Sequence, residues 1–213
     1  MAQIVLELQK EAISKESDIL SLLRKAYLVA RKLKLVEFEE WINNELNGYK
    51  NIDKLPDYRK VKGEVKAWNP YHGWIPVILQ NDEIDKAISE HLVPDSIPSL
   101  MNVYDNSNDN TAVLQLGASI NQILSETCGF ETKYALMIGV NQLYNIMEKT
   151  RNIVLEWAIT LEENGILGEE LQFTQQEKEK ANSTSTIFNY TNNFYGNVKD
   201  TQIQQDTKDS LQE

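Results

Sequence analysis

Few residues in this chain of 213 have the type and spacing that chemistry demands. His72 and His91 stand 19 positions apart. A zinc site needs further ligands, and neither HxxxH nor HExxH spacing occurs, so no metal is expected. The single cysteine, Cys128, becomes a nucleophile only beside a base, and a buried structural thiol is the commoner use of a lone cysteine. One cysteine also excludes an intrachain disulfide, which fits a reducing, cytoplasmic compartment. No glycine-rich phosphate loop of the GxxxxGKS, GxxxxGKT or GxGxxG kind is present, so no cofactor is expected. Asp82, Glu83 and Asp85 could bind a divalent ion, but they also suit the first turn of an acidic helix, where carboxylates meet the positive end of the helix dipole. Glu162 and Glu163 read as a solvated helix end. No catalytic residue is assigned.

One constellation is denser. Residues 41–49 read WINNELNGY and residues 55–59 read LPDYR. They bring Trp41, Glu45, Tyr49, Tyr58 and Arg59 to one junction. One reading is a cap and corner: Gly48 turns left-handed, Tyr49 packs back, and Arg59 pairs with Glu45 or caps carbonyls. The other is a ligand or partner site built from the same five residues.

The elements that must position them follow from apolar spacing. Residues 3–13 carry Ile4, Leu8 and Ile13 near helical period. Ser17 can cap a second helix over 18–34, with Ile19, Leu22, Leu23, Ala26, Tyr27, Ala30 and Leu33 on one face. A third helix, about 37–47, carries Phe38, Trp41, Ile42 and Leu46, and Gly48 can end it. Residues 60–67, KVKGEVKA, alternate as a half-buried strand. After the turn formers at 69–73, WIPVIL at 74–79 returns as its hairpin partner, with Pro76 assigning it to a sheet edge. A short acidic helix over 82–92, a loop over 93–111 with room for one helical turn, a helix about 117–126, a strand about 130–138 and a long helix about 141–163 complete the core. The expected class is α+β: a helical trio, a small antiparallel sheet and one long helix, because strands are few and not regularly interleaved with helices. The domain covers 1–178, and a polar tail covers 179–213.

Charge bears on partners. The net charge is −11, with 21 Lys and Arg against 32 Asp and Glu, which argues against broad contact with a nucleic-acid backbone. The first 80 residues hold 13 of the 21 cations. Such a dipolar chain suits head-to-tail association or an oriented partner. No 18-residue apolar run is present, so no membrane span is expected.

The tail raises a different question. Residues 187–198, IFNYTNNFYGNV, contain no charged side chain. Phenylalanine, tyrosine, valine, isoleucine and threonine favour extended backbone, and Asn and Gln can form amide ladders between stacked strands. One reading is a polar leash. The other is a strand, about 187–205, that pairs with sister copies through Phe188, Tyr190, Phe194, Tyr195, Val198, Gln202, Ile203 and Gln204.

Four patches are similar to a known family. LLRKAYLVARKL at 22–33, WINNELNGY at 41–49, LPDYR at 55–59 and TRNIVLEWAITLEENGILGE at 150–169 resemble the AbiTii domain of bacterial abortive-infection defence, and NFYGNVKDTQIQQ resembles the tails that follow it. The resemblance implies a prokaryotic cytosolic protein of antiphage defence. It implies no catalytic activity and assigns no residue a role. Three functions remain open. The first is a non-enzymatic module that self-assembles through its tail and answers a phage-derived or host protein trigger. The second is a metal-dependent nuclease or nucleotide hydrolase using residues such as Glu45 and Asp57. The third is a nucleic-acid-binding module using Arg24, Lys25, Arg31, Lys32, Arg59, Lys60 and Lys62.

Overall fold

A computed structural model describes residues 3–79, 82–107 and 110–183. The helical trio forms as expected: α1 (Ile4–Ile13), α2 (Ile19–Leu33) and α3 (Val36–Asn47). In α2 the apolar stripe at three- and four-residue spacing is buried from Ile19 to Leu33, with Tyr27 half-buried at its margin. Its cap is Asp18, not Ser17. The Asp18 carboxylate accepts from the amides of Leu20 and Ser21 at 3.2 and 3.0 Å, and a negative cap also complements the helix dipole. In α1 the inward residues are Ile4, Val5, Leu8 and Ala12, while Ile13 is 68% exposed. Ile13 lies five positions past Leu8, about 140° round the helix, so Ala12 takes the place in the stripe.

The strands divide between two sheets. Strands β2 (Glu64–Asn69), β3 (Gly73–Pro76), β5 (Thr111–Gln115) and β6 (Tyr134–Gly139) form an antiparallel sheet in the order β3-β2-β6-β5. Strands β1 (Lys60–Lys62) and β4 (Glu90–Leu92) pair separately. The expected strand over 60–67 keeps its alternation, with Val61, Val65 and Ala67 buried, but it breaks at Gly63. There the backbone amide donates to Ser89 O at 2.9 Å. A Cβ at Gly63 would meet Met137 O at 2.5 Å. Only a residue without a side chain lets the chain pass so close to β6 and change partners.

Three further elements differ from expectation. The helix expected over 82–92 is α4 (Asp82–Ser89), and its last turn is replaced by β4. The expected loop over 93–111 contains α5 (Ile97–Asp105), with Pro98 in its first turn. Proline is tolerated there because those amides have no intrahelical acceptor, and Ser96 caps the helix through the Ser99 amide. Strand β5 was also expected to be loop at its start. Helix α6 (Ala118–Cys128) and helix α7 (Val140–Glu163) stand close to their expected places. The molecule is therefore α+β, as its spacing predicts.

Helix α7 is the axis of the core. It buries Leu143, Ile146, Ile153, Val154, Trp157 and Leu161, against α1, α2 and α5. Trp157 stacks on Phe38 of α3, with ring centroids 4.1 Å apart. After Gly165 the chain turns back under α1: the amides of Ile4 and Val5 donate to Gly168 O and Leu167 O at 3.1 and 3.2 Å.

Helix α8 (Gln175–Ser183) then returns to α2, where Asn182 Nδ2 donates to Leu33 O at 2.8 Å. Its start is a capping box. Thr174 Oγ1 accepts from the Glu177 amide at 3.2 Å, and Glu177 Oε2 accepts from the Thr174 amide at 2.8 Å. Such reciprocal bonds satisfy donors that a helix start leaves over. Glu177 Oε1 also accepts from the Leu167 and Gly168 amides, both at 3.0 Å. Burial acts to raise the pKa of Glu177, but the amides of Gly168, Thr174 and Leu167 outweigh it and hold the carboxyl below its ordinary value. Because the folded pKa is lowered, this stabilisation is present above the unfolded pKa and is lost as pH falls through the folded one. Glu177→Gln is expected to cost about 1–2 kcal/mol at neutral pH. In urea melts the difference from the parent chain should narrow as pH falls below the ordinary carboxylate value and vanish below the lowered folded one; a gap that persists in strong acid would refute the assignment.

The expected tail strand, with Phe188, Tyr190, Phe194, Tyr195, Val198, Gln202, Ile203 and Gln204, lies outside the described residues.

Candidate functional site

The five residues of the helix–hairpin junction meet inside the molecule. Gly48 ends α3 with φ +88°, and its amide donates to Asn44 O at 2.8 Å. The next amide, Tyr49, donates to Pro94 O at 2.8 Å. This fastens the α3 corner to the segment before α5. A 3-10 turn at Asp57–Arg59 delivers Tyr58 and Arg59 from the other side.

Glu45 and Arg59 are both 0% exposed. Their ion pair is bidentate: Arg59 Nη2 donates to Glu45 Oε2 and Nε donates to Oε1 at 3.1 Å. Nη1 donates to Val93 O at 3.0 Å and to Asp95 O at 2.5 Å. Four of the five guanidinium hydrogens are therefore used within the fold. Glu45 Oε1 also accepts from Tyr49 Oη at 2.7 Å and Tyr58 Oη at 2.6 Å. Tyr58 Oη accepts in turn from Trp41 Nε1 at 3.0 Å. The guanidinium carbon lies 5.0 Å from the centre of the Tyr49 ring, a cation–π distance. Thr150 of α7 closes the ring. Its hydroxyl lies 3.3 Å from Glu45 Oε2 and 2.9 Å from Ile146 O, so its one hydrogen goes chiefly to the nearer carbonyl.

The electrostatics follow from this packing. Burial, then the charge on Glu45, pushes the Tyr49 and Tyr58 hydroxyls well above the ordinary phenol range. Burial acts to lower the pKa of Arg59, but Glu45 more than offsets it, so the guanidinium stays charged. Both phenols stay protonated at neutral pH, and neither charged head reaches solvent. The arrangement works as a clamp that joins α3, the 55–59 turn, the 93–95 segment and α7. The structure brings together all five residues singled out from the sequence. Thr150 and the carbonyls of Val93 and Asp95 had no local signal, since Thr150 stands 105 positions from Glu45.

The other candidates are scattered. His72 lies in the β2–β3 turn and His91 in β4. Cys128 ends α6 on the wall of an apolar groove of about 500 Å³, beside Ile75, Val77, Ile84 and Phe130. The Tyr134 hydroxyl is pushed up to about 12 by burial and by its contact with Cys128. Among the described residues, no group of three or more His, Cys, Asp or Glu could hold a metal ion. Of the proposed basic face, Arg59 is internal, Lys25 pairs with Glu7 and Glu11, Lys60 pairs with Glu90, and Lys32 donates to Leu171 O.

The AbiTii family model matches residues 3–186. No curated protein and no solved structure matches the chain.

Proposed function

Because this chain belongs to the AbiTii family, an abortive-infection family, we propose that it is a non-enzymatic, self-assembling module of a bacterial antiphage defence system, acting in the cytoplasm. The observation that carries this reading is how the most polar cluster is used. Glu45, a residue the hydrolase alternative would need, is sealed and paired with Arg59, which is hydrogen-bonded in turn to the backbone. A rigid core of this kind suits a scaffold that presents surfaces and termini. Two features of the sequence support assembly. The segment 187–198 is uncharged and rich in strand-forming residues, and identical chains could add it to a sheet without charge repulsion. The cations are concentrated in the first 80 residues, which hold 13 of 21, and such an uneven charge suits an oriented partner. Among the described residues no helix is long and apolar enough to cross a membrane. The trigger in this reading is a phage-derived or host protein.

The test is the mass in solution. The full chain is expected to scatter light as an oligomer, and the chain ending at residue 186 as a monomer. Equal masses for the two would refute tail-driven assembly.

A further inference from the structure

The sheet has two outer edges, and they are built differently. On one side, Val77 N donates to Val65 O at 3.0 Å. In an antiparallel ladder the bonded pairs alternate, so Ala67 also bonds to Ile75, while Trp74 and Pro76 turn their backbone groups away from β2. Pro76 thus stands where a further strand would need an N–H, and it has none. Proline at such a position blunts an edge against added strands. The small sheet is guarded by charge instead, through Lys60, Lys62 and Glu90.

The opposite edge has no such guard. Val140 N donates to Asn110 O at 3.1 Å, which places Ala112 and Leu114 in the bonded pairs with β6 and turns the N–H and C=O of Val113 outward. Residues Thr111–Gln115 read TAVLQ, without proline or charge. Val113 is 44% exposed. An uncharged edge with outward-facing backbone groups is a template for another strand.

We propose that the β5 edge receives residues 187–198 of a second copy as a fifth strand of this sheet, a docking site that rests on the self-assembly reading above. The segment suits the edge chemically. Neither strand carries a charge, residues 187–198 are rich in side chains that favour extended backbone, and twelve residues are more than enough to span the five of β5. One chain then carries both donor and acceptor, so copies join head to tail.

Two full-length variants test this by light scattering. Val113→Pro removes the outward N–H at the acceptor edge, and Tyr195→Pro interrupts the donor. Each alone is expected to run at the monomer mass of 24.5 kDa, with a melting temperature within a few degrees of the parent. Val113→Lys replaces the proline variant if that one loses its far-ultraviolet signal. Mixed in equal amounts, the two variants should form a dimer of one copy each, since one supplies a sound donor and the other a sound acceptor. A mixture that stays monomeric overturns the proposal. If Val113→Pro still assembles while Tyr195→Pro does not, tails pair with tails: the docking site falls and tail-driven assembly stands. A parent chain that is itself monomeric overturns both.

Discussion

Glu45→Gln is expected to lower the folding free energy by roughly 3–5 kcal/mol, the usual cost of removing one partner from a buried ion pair. For a chain of this size the melting temperature should fall by on the order of 10 °C. The amide can still accept from Tyr49 and Tyr58, which meet one oxygen of the carboxylate. It cannot neutralise Arg59, which is 0% exposed, and its NH₂ group would face the guanidinium donors. Arg59→Lys should recover little of the parent stability. An ammonium cannot hold both carboxylate oxygens and also reach the carbonyls of Val93 and Asp95. The cycle of Glu45→Gln and Arg59→Met, read by urea denaturation, should return a coupling of about 2–3 kcal/mol. Coupling near zero, or a Glu45→Gln variant within 1 kcal/mol of the parent, would mean that the pair contributes nothing beyond its neighbours.

The second large effect is expected at Trp157. Its ring is 0% exposed and stacks on Phe38, so it joins α7 to α3 at the centre of the core. Trp157→Ala should cost about 3–5 kcal/mol, through lost burial and the cavity left behind. Trp157→Phe should cost far less, about 1–2 kcal/mol. The reason is that Trp157 Nε1 is buried and meets no acceptor among the described residues. Phenylalanine keeps most of the apolar contact and removes a donor that was desolvated without return. Equal losses for the two variants would show that volume alone decides this site.

The helical trio and α7 were legible because their signal is local. Apolar residues three and four apart, such as Leu22, Ala26, Ala30 and Leu33, define a buried stripe whatever it packs against. The cluster of Trp41, Glu45, Tyr49, Tyr58 and Arg59 was legible for the same reason: two short segments joined by a glycine corner can meet in few ways. The capping box of Thr174 and Glu177 was also written locally, as TQQE, and could have been found by its spacing.

What only the tertiary structure decided are the pairings between distant segments. The short run TAVLQ becomes a strand because β6 offers it a ladder. EHL leaves the end of α4 and pairs with β1. Gly63 divides one alternating run between two sheets because the backbone of β6 approaches within reach of its missing Cβ. Thr150 and the carbonyls of Val93 and Asp95 join the buried charges from segments with no sequence motif in common. Helix periodicity is set by bonds four residues apart and can be read from the chain, whereas strand pairing and burial of charge depend on partners brought in from far along it.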